Sequence, residues 1–267
     1  MGGKTIRLRR ILGSDGKTVI TPMDHGVSCG PIRGLEDMKL ALERAIKGGA
    51  DTVILHKGNF GIASQMDLHL PGLILHLSAS TQLSFDFHKK VIVAGVEEAV
   101  RLGADGVSVH INLGNENEHV MLEDLGMVSD ECNRWQMPLL VMVYVRGLNV
   151  TQPVSDKSIA HAIRVAWELG ADIIKTASPE DLNTLEGLAS HCPVPIVIAG
   201  GGKVKDVKNF LNKVAGWMGS GARGVAIGRN VFQDESPVSL LRAICSIVHE
   251  KLSGDQAYEE YVELVKG

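Results

Sequence analysis

The sequence predicts a single (β/α)8 barrel over residues 1–267, with a short N-terminal lead and a C-terminal helix. Three observations lead there. Eight short apolar, β-branched runs alternate with helical patterns from end to end. A recurring text closes one helix and opens the next strand: Gly-Gly-Ala-Asp at 48–51, Gly-Ala-Asp at 103–105 and 170–172, and Gly-Ala-Arg at 221–223. No stretch has the composition of a disordered linker. A doubly wound open sheet is the competing architecture. Against it, no GxGxxG follows the first strand, and eight units is the number that closes a TIM barrel.

Each element has its own signal. Apolar β-branched runs predict strands at 18–24, 52–57, 73–77, 106–112, 139–144, 172–176, 195–199 and 224–227. Apolar residues at helical spacing predict helices at 35–47, 97–102, 115–135, 156–169, 179–190, 205–218 and 236–251, and a final short amphipathic one. The glycines of the recurring text supply left-handed helix ends. Gly126 marks a possible break in 115–135. Ser178 reads as an N-cap before Pro179 at the first helical position. Residues 59–71 read as an irregular connection and 78–90 as a loop, with 91–93 an extra strand or the lead into a helix.

Composition narrows the function classes. The chain is 45% hydrophobic with 30 glycines, enough for one large core. The formal net charge is −4 and no basic block occurs, which argues against nucleic acid as a partner. The longest apolar runs are strand length, short of the ~20 residues of a membrane span. Residues 1–10 are basic, but no apolar run follows, so they do not read as a secretory signal. Cys29, Cys132, Cys192 and Cys245 are widely spaced without a CxxC, as expected of reduced thiols in a cytoplasmic protein.

The barrel prediction places the active site at the C-terminal strand ends. The stretch Ala171-Asp172-Ile173-Ile174-Lys175-Thr176 is an apolar strand with a lysine near its end. Two readings of such a lysine stand open: an amine that snorkels to water, or a buried one that attacks a carbonyl to form a Schiff base. Alternation sets Asp24, Tyr144 and Lys175 on the inner face above Pro22, Met142 and Ile173. Tyr144 could exchange a proton beside a lysine-bound carbon, and Asp24 could hold an ammonium or shuttle protons. His25 either orients a substrate or caps a turn. Lys57, after His56, is the rival Schiff-base lysine, and Arg146 follows the fifth strand. After the last two strands, Gly200-Gly201-Gly202-Lys203 and Gly228-Arg229 offer backbone N–H groups and a guanidinium to a phosphate. No zinc spacing and no GxSxG elbow occurs, so neither a metal nor a cofactor is expected.

These segments resemble the archaeal-type class I aldolase family. The likeness is carried by Pro-Met-Asp-His-Gly-Val-Ser at 22–28, Leu-His-Lys-Gly at 55–58 and Ile-Leu-His-Leu-Ser at 74–78. Val-Ser-Val-His-Ile-Asn at 107–112, Ala-Asp-Ile-Ile-Lys-Thr at 171–176 and Val-Ala-Ile-Gly-Arg-Asn at 225–230 extend it over nearly the whole chain. The family includes fructose-bisphosphate aldolase and the 2-amino-3,7-dideoxy-D-threo-hept-6-ulosonate synthases of an alternative route to aromatic amino acids, which take 6-deoxy-5-ketofructose 1-phosphate and L-aspartate semialdehyde. It also includes a related branch that joins dihydroxyacetone phosphate to aspartate semialdehyde. The competing class is a non-catalytic phosphate-binding barrel, which would keep the glycine loops but need neither Lys175 nor Tyr144. The text around His25 and Lys57 is most similar to the synthases. The resemblance implies Lys175 as the Schiff-base lysine and Tyr144 and Asp24 as acid/base groups. It also implies the two glycine loops with Arg229 as the phosphate site. A phosphorylated sugar or triose, an aldehyde acceptor and a homo-oligomer are implied too. An acceptor with an amine and a carboxylate needs charges of both signs away from the phosphate loops, which Asp24, His25, Lys57 and Arg146 at the strand ends are expected to supply. Three places depart from the family pattern: Val145 and Gly202 stand where it has proline, and Thr176-Ala177-Ser178-Pro179 lacks its tyrosine and Thr-Gly-Asp.

Overall fold

The computed structural model describes residues 2–266. In chain order its elements begin with α1 (Gly2–Ile11), β1 (Thr18–Pro22), α2 (His25–Cys29), α3 (Met38–Gly48), β2 (Thr52–Leu55), α4 (Lys57–Ala63) and β3 (Gly72–His76). A small ribbon, β4 (Ser78–Ala79) and β5 (Val91–Ile92), leads to α5 (Val96–Arg101), β6 (Gly106–Leu113), α6 (Glu118–Trp135), β7 (Leu139–Val145) and α7 (Asp156–Glu168). Then come β8 (Ile173–Thr176), α8 (Leu182–His191), β9 (Ile196–Ala199), α9 (Val207–Gly219), β10 (Gly224–Ala226), α10 (Arg229–Phe232), α11 (Pro237–Glu250) and α12 (Gly254–Lys266).

Eight of these strands close a parallel barrel in the order β1-β10-β9-β8-β7-β6-β3-β2. Alternation divides the apolar residues into two cores. Ile20, Ile54, Ile74, Leu140, Met142, Ile173 and Val197 fill the barrel. Val19, Val53, Leu75, Val109, Val141 and Ile174 face outward under the helices. Each of these side chains is at most 2% exposed. Burying one contributes about 1.5–3 kcal/mol, which is what selects the parity of each strand.

The recurring Gly-Ala-Asp text does more than end helices. Gly49, Gly103, Gly170 and Gly221 all have positive φ, between 77° and 94°, as the left-handed ends require. The aspartates then reach to the preceding strand. Asp51 Oδ2 accepts from Val19 N at 2.6 Å, Asp105 Oδ2 from Leu73 N at 3.1 Å, and Asp172 Oδ2 from Leu139 N at 2.9 Å. Each carboxylate also meets a cation: His249, Arg10 and Lys4 respectively.

Two of those partners lie at the N-terminal end of the chain. Residues read only as a lead form the helix α1, whose last residue Ile11 enters the barrel core and seals its floor. The Ile11 carbonyl accepts from Thr18 Oγ1 at 2.7 Å and Thr52 Oγ1 at 3.0 Å.

Other differences have local causes. Residues 57–63 are helical, because Phe60 and Ala63 bury one face while Gly58 and Gly61 obscure the periodicity in the sequence. Helix α8 starts at Leu182 with Asp181 as its cap, not at Pro179. The Glu180 and Asp181 N–H groups donate to the Asp156 carboxylate, and Ser178 Oγ donates to the Pro179 carbonyl. Helix α6 runs unbroken through Gly126. No helix among the described residues is long and apolar enough to cross a membrane.

Candidate active site

A cavity of about 360 Å³ opens at the C-terminal ends of the barrel strands. Lys175 lies at its base, only 8% exposed. Its neighbour across the β7–β8 ladder is Met142, whose Sδ is 3.7 Å from Nζ. A thioether is a weak acceptor, and no carboxylate lies within ion-pair distance of Nζ among the described residues. Tyr144, two residues beyond Met142, therefore stands beside Lys175 and nearer the mouth. Its ring packs at 5.2 Å from His110 and carries the Arg146 guanidinium 4.1 Å from its centroid.

Asp24 comes from the turn between β1 and α2 and completes the group. Its Oδ1 is 3.6 Å from His25 Nδ1 and its Oδ2 is 3.7 Å from His76 Nε2. Burial pushes this carboxyl upward, but the charges brought by His76, His25 and Lys175 outweigh that and hold it well below the usual carboxylate range. His76 moves the other way. Burial lowers its imidazole from 6.5 to about 4, against the pull of Asp24. Ser108 Oγ, 2.8 Å from His76 Nδ1, fixes the ring. At neutral pH Asp24 is a carboxylate facing a neutral imidazole. Burial likewise lowers His25, His56 and His110, so this end of the barrel holds several uncharged imidazoles.

The glycine loops form the wall beside β9 and β10. Gly200, Gly201, Gly228 and Arg229 line the cavity. A Cβ at Gly228 would stand 2.8 Å from His25 Cε1 and 3.0 Å from the Pro22 carbonyl, so only glycine fits there. Gly201 has φ +71°. The buried Asn230 ties the two loops together: its Nδ2 donates to the Gly200 and Gly202 carbonyls at 2.9 and 3.0 Å. With those carbonyls held, the Gly201 and Gly202 N–H groups are left without a backbone acceptor among the described residues.

Three expected residues fall outside the cavity lining. Lys57 opens α4, and its Nζ donates to the Val93 carbonyl at 2.9 Å and to Glu98 at 3.4 Å. Its neighbour His56, the extended residue between β2 and α4, lies 5.2 Å from the His76 ring and continues the inward series of Ile54, so Lys57, one residue on, turns outward. Lys203 Nζ is held by Asp234 at 2.6 Å and by the Asn230 carbonyl. Gly202 lies just beyond the cavity wall, where a Cβ would meet nothing within 4 Å. Conversely, sequence reading did not single out His76 or Lys90. For His76 a signal exists, since it continues the inward series from Ile74. Lys90 lies in an aperiodic loop and has none.

The comparisons with known proteins agree with this geometry. Residues 18–234 match the DeoC/LacD family aldolase. The chain is 38% identical over 270 residues to a 2-amino-3,7-dideoxy-D-threo-hept-6-ulosonate synthase of Archaeoglobus fulgidus, covering 100% of this chain and 99% of that one. It is 36% identical over 247 residues to the 2-amino-4,5-dihydroxy-6-oxo-7-(phosphonooxy)heptanoate synthase of Streptomyces griseus, covering 92% and 90%. A solved archaeal fructose-1,6-bisphosphate aldolase, its catalytic lysine covalently bound to a carbinolamine intermediate, superposes with a TM-score of 0.84 at 32% identity, covering 92% of this chain and 99% of that one. With a barrel of that architecture and a match to the family over most of its length, the chain belongs to the DeoC/LacD family of aldolases and is an enzyme.

Proposed function

We infer that the protein is a lysine Schiff-base synthase that joins a three-carbon unit to L-aspartate semialdehyde. Its product is then 2-amino-3,7-dideoxy-D-threo-hept-6-ulosonate, made from 6-deoxy-5-ketofructose 1-phosphate. The observation that carries this is Lys175, buried in the cavity with no ion-pair partner among the described residues and sharing that cavity with Tyr144 and Asp24. Lys175 Nζ adds to the donor ketone, and loss of water leaves an iminium. That cation accepts the electron pair of the bond between its α and β carbons as that bond breaks, and the phosphate-bearing three-carbon fragment leaves as an aldehyde. The enamine left on Lys175 then attacks the carbonyl carbon of L-aspartate semialdehyde, whose oxygen takes up a proton. Water hydrolyses the product iminium to free Lys175. Tyr144 moves the proton at the reacting oxygen. Asp24, kept ionised, faces the iminium as its counter-charge; a carboxyl held so low is a poor proton donor. Gly201, Gly228 and Arg229 hold phosphate on the donor, and Gly200, whose N–H donates to the Ala226 carbonyl, shapes the wall beside them. The synthase reading also rests on the Archaeoglobus relative. Its setting is the cytoplasm and its state a homo-oligomer, as the family resemblance implies.

The glycine loops and Arg229 beside Lys175 favour one second reading. Dihydroxyacetone phosphate carries its phosphate one carbon from the carbonyl that the lysine takes. A donor of that kind would give the phosphorylated seven-carbon product named for the Streptomyces relative. One experiment tests both. Purified protein receives each donor with and without L-aspartate semialdehyde, is quenched with borohydride, and is read by mass. The expected result is an adduct on the Lys175 peptide and an unphosphorylated seven-carbon amino acid. A phosphorylated seven-carbon product supports the second reading. Rapid fructose 1,6-bisphosphate cleavage with no seven-carbon product overturns both.

A further inference from the structure

Away from the glycine loops the cavity holds two cations: Lys90, which has been given no role so far, and Arg146, which the sequence reading set aside for the acceptor. In the closed strand order, β9 and β10 stand four places from β3 and β6. The segment between β4 and β5 arches over β3 and β6 and brings Lys90 to the cavity, and Arg146 reaches it from the end of β7. Neither has a carboxylate partner among the described residues. Lys90 Nζ donates only to neutral oxygens, Ser80 Oγ and the Phe87 carbonyl. Arg146 stands over the Tyr144 ring, its guanidinium carbon 4.1 Å from the centroid.

The nearby carboxylates are already engaged. Asp86 accepts from the Asn115 and Asn117 side chains and from the His88 and Lys89 N–H groups. Asp24 faces His25 and His76. Lys90 and Arg146 therefore bring two like charges to one partly desolvated cavity with no carboxylate paired to either among the described residues. Burial, and then Arg146, lowers the Lys90 amine from its ordinary value. Burial, then Lys90 and Arg146, pushes His110 well down. A bound anion removes that repulsion, which is the electrostatic signature of an anion site.

The segment is also held in place. The His88 carbonyl accepts from Asn112 Nδ2 at 2.6 Å, and Gln82 N donates to the Ser28 carbonyl at 2.9 Å. Lys90 thus projects from an anchored support rather than a free loop.

We propose that Lys90 and Arg146 form a second anion subsite that takes the carboxylate of the incoming aldehyde, across the cavity from the glycine loops. The assignment rests on the Schiff-base synthase reading. For a donor whose phosphate lies next to the reacting ketone, as in dihydroxyacetone phosphate, the two walls are separate addresses with the imine carbon between them. With 6-deoxy-5-ketofructose 1-phosphate the acceptor takes the place of the departing phosphorylated aldehyde. A carboxylate suits this wall better than a second phosphate. The wall offers two side-chain cations, whereas the opposite one offers unpaired glycine N–H groups beside a guanidinium. A planar carboxylate can bridge a guanidinium and an ammonium with its two oxygens.

The test has two readouts. L-Homoserine, with an alcohol in place of the aldehyde of aspartate semialdehyde, is titrated calorimetrically into wild type, Lys90→Gln, Lys90→Arg and Lys89→Gln. Binding is expected to weaken ~10–100-fold in Lys90→Gln, the scale of a lost charge-assisted contact. It should be largely restored by Lys90→Arg and little changed in Lys89→Gln. The second readout compares kcat/KM for aspartate semialdehyde, glyceraldehyde 3-phosphate and uncharged propanal in wild type and Lys90→Gln. The preference of wild type for the carboxylate over propanal should fall by a similar factor. A larger loss for the phosphorylated aldehyde would assign the wall to phosphate. No homoserine binding to wild type, or equal losses for all three aldehydes, overturns the subsite. Failure of the Schiff-base reading is distinct: it appears as absence of the borohydride adduct on Lys175, while the homoserine titration stays readable.

Discussion

Tyr144 occupies a position where a core aromatic would also be at home, since its ring packs on His110 and extends the barrel core. Its hydroxyl decides between the two roles. Tyr144→Phe keeps the packing and removes the ionisable proton. Imine formation needs only Lys175, so borohydride trapping should survive in this variant while turnover falls ~10²–10⁴-fold, the scale of one general acid/base group. Turnover near that of wild type would return Tyr144 to the core. Alternation along a strand, together with a polar residue at its end, made Lys175, Tyr144 and Asp24 legible in the sequence. The same rule, applied to Ile54 and His56, would have turned Lys57 away from the cavity. Lys203 was misplaced for another reason: its partner Asp234 lies 31 positions away and leaves no local mark.

Elements are joined at the barrel floor by the three aspartates of the recurring text. Asp51 is the one with a titratable partner. Hydrogen bonds from His249 to Asp51, and to a lesser extent its contact with Asp15, raise the imidazole above 6.5 despite partial burial. The folded state therefore binds the His249 proton more tightly than the unfolded chain. Its contribution to stability is full below pH ~6.5 and is lost as pH rises through the raised folded value. Melting temperatures of wild type and His249→Gln should differ most near pH ~6 and converge in the alkaline range. A difference that grows toward alkaline pH would contradict this sign. The strand-start role of Gly-Ala-Asp was legible because a glycine helix end is local. The grip of each aspartate on the preceding strand was not, because the partner N–H lies about 32 residues back in the chain.

For the whole molecule, α1 is the part that closes the barrel from below. Ile11 is 1% exposed and sits among the inward residues of the strands. Ile11→Ala should cost ~2–5 kcal/mol, the range for truncating a buried aliphatic side chain, read as a lower urea midpoint. A loss under ~1 kcal/mol would mean that the floor is closed without it.

The sequence by itself determined the alternation of elements, the eight-strand count of the barrel, and the inward face of the strands that bring Asp24, Tyr144 and Lys175 to the cavity. All of these follow from short-range periodicity, because a side chain one residue along a strand points the opposite way. Only the tertiary structure decided which residues converge across the barrel. Closure set β3 and β6 opposite β9 and β10, anchored the segment that carries Lys90, and drew α1 under the floor. Those placements depend on contacts between residues far apart in the chain, to which hydrophobic periodicity is blind.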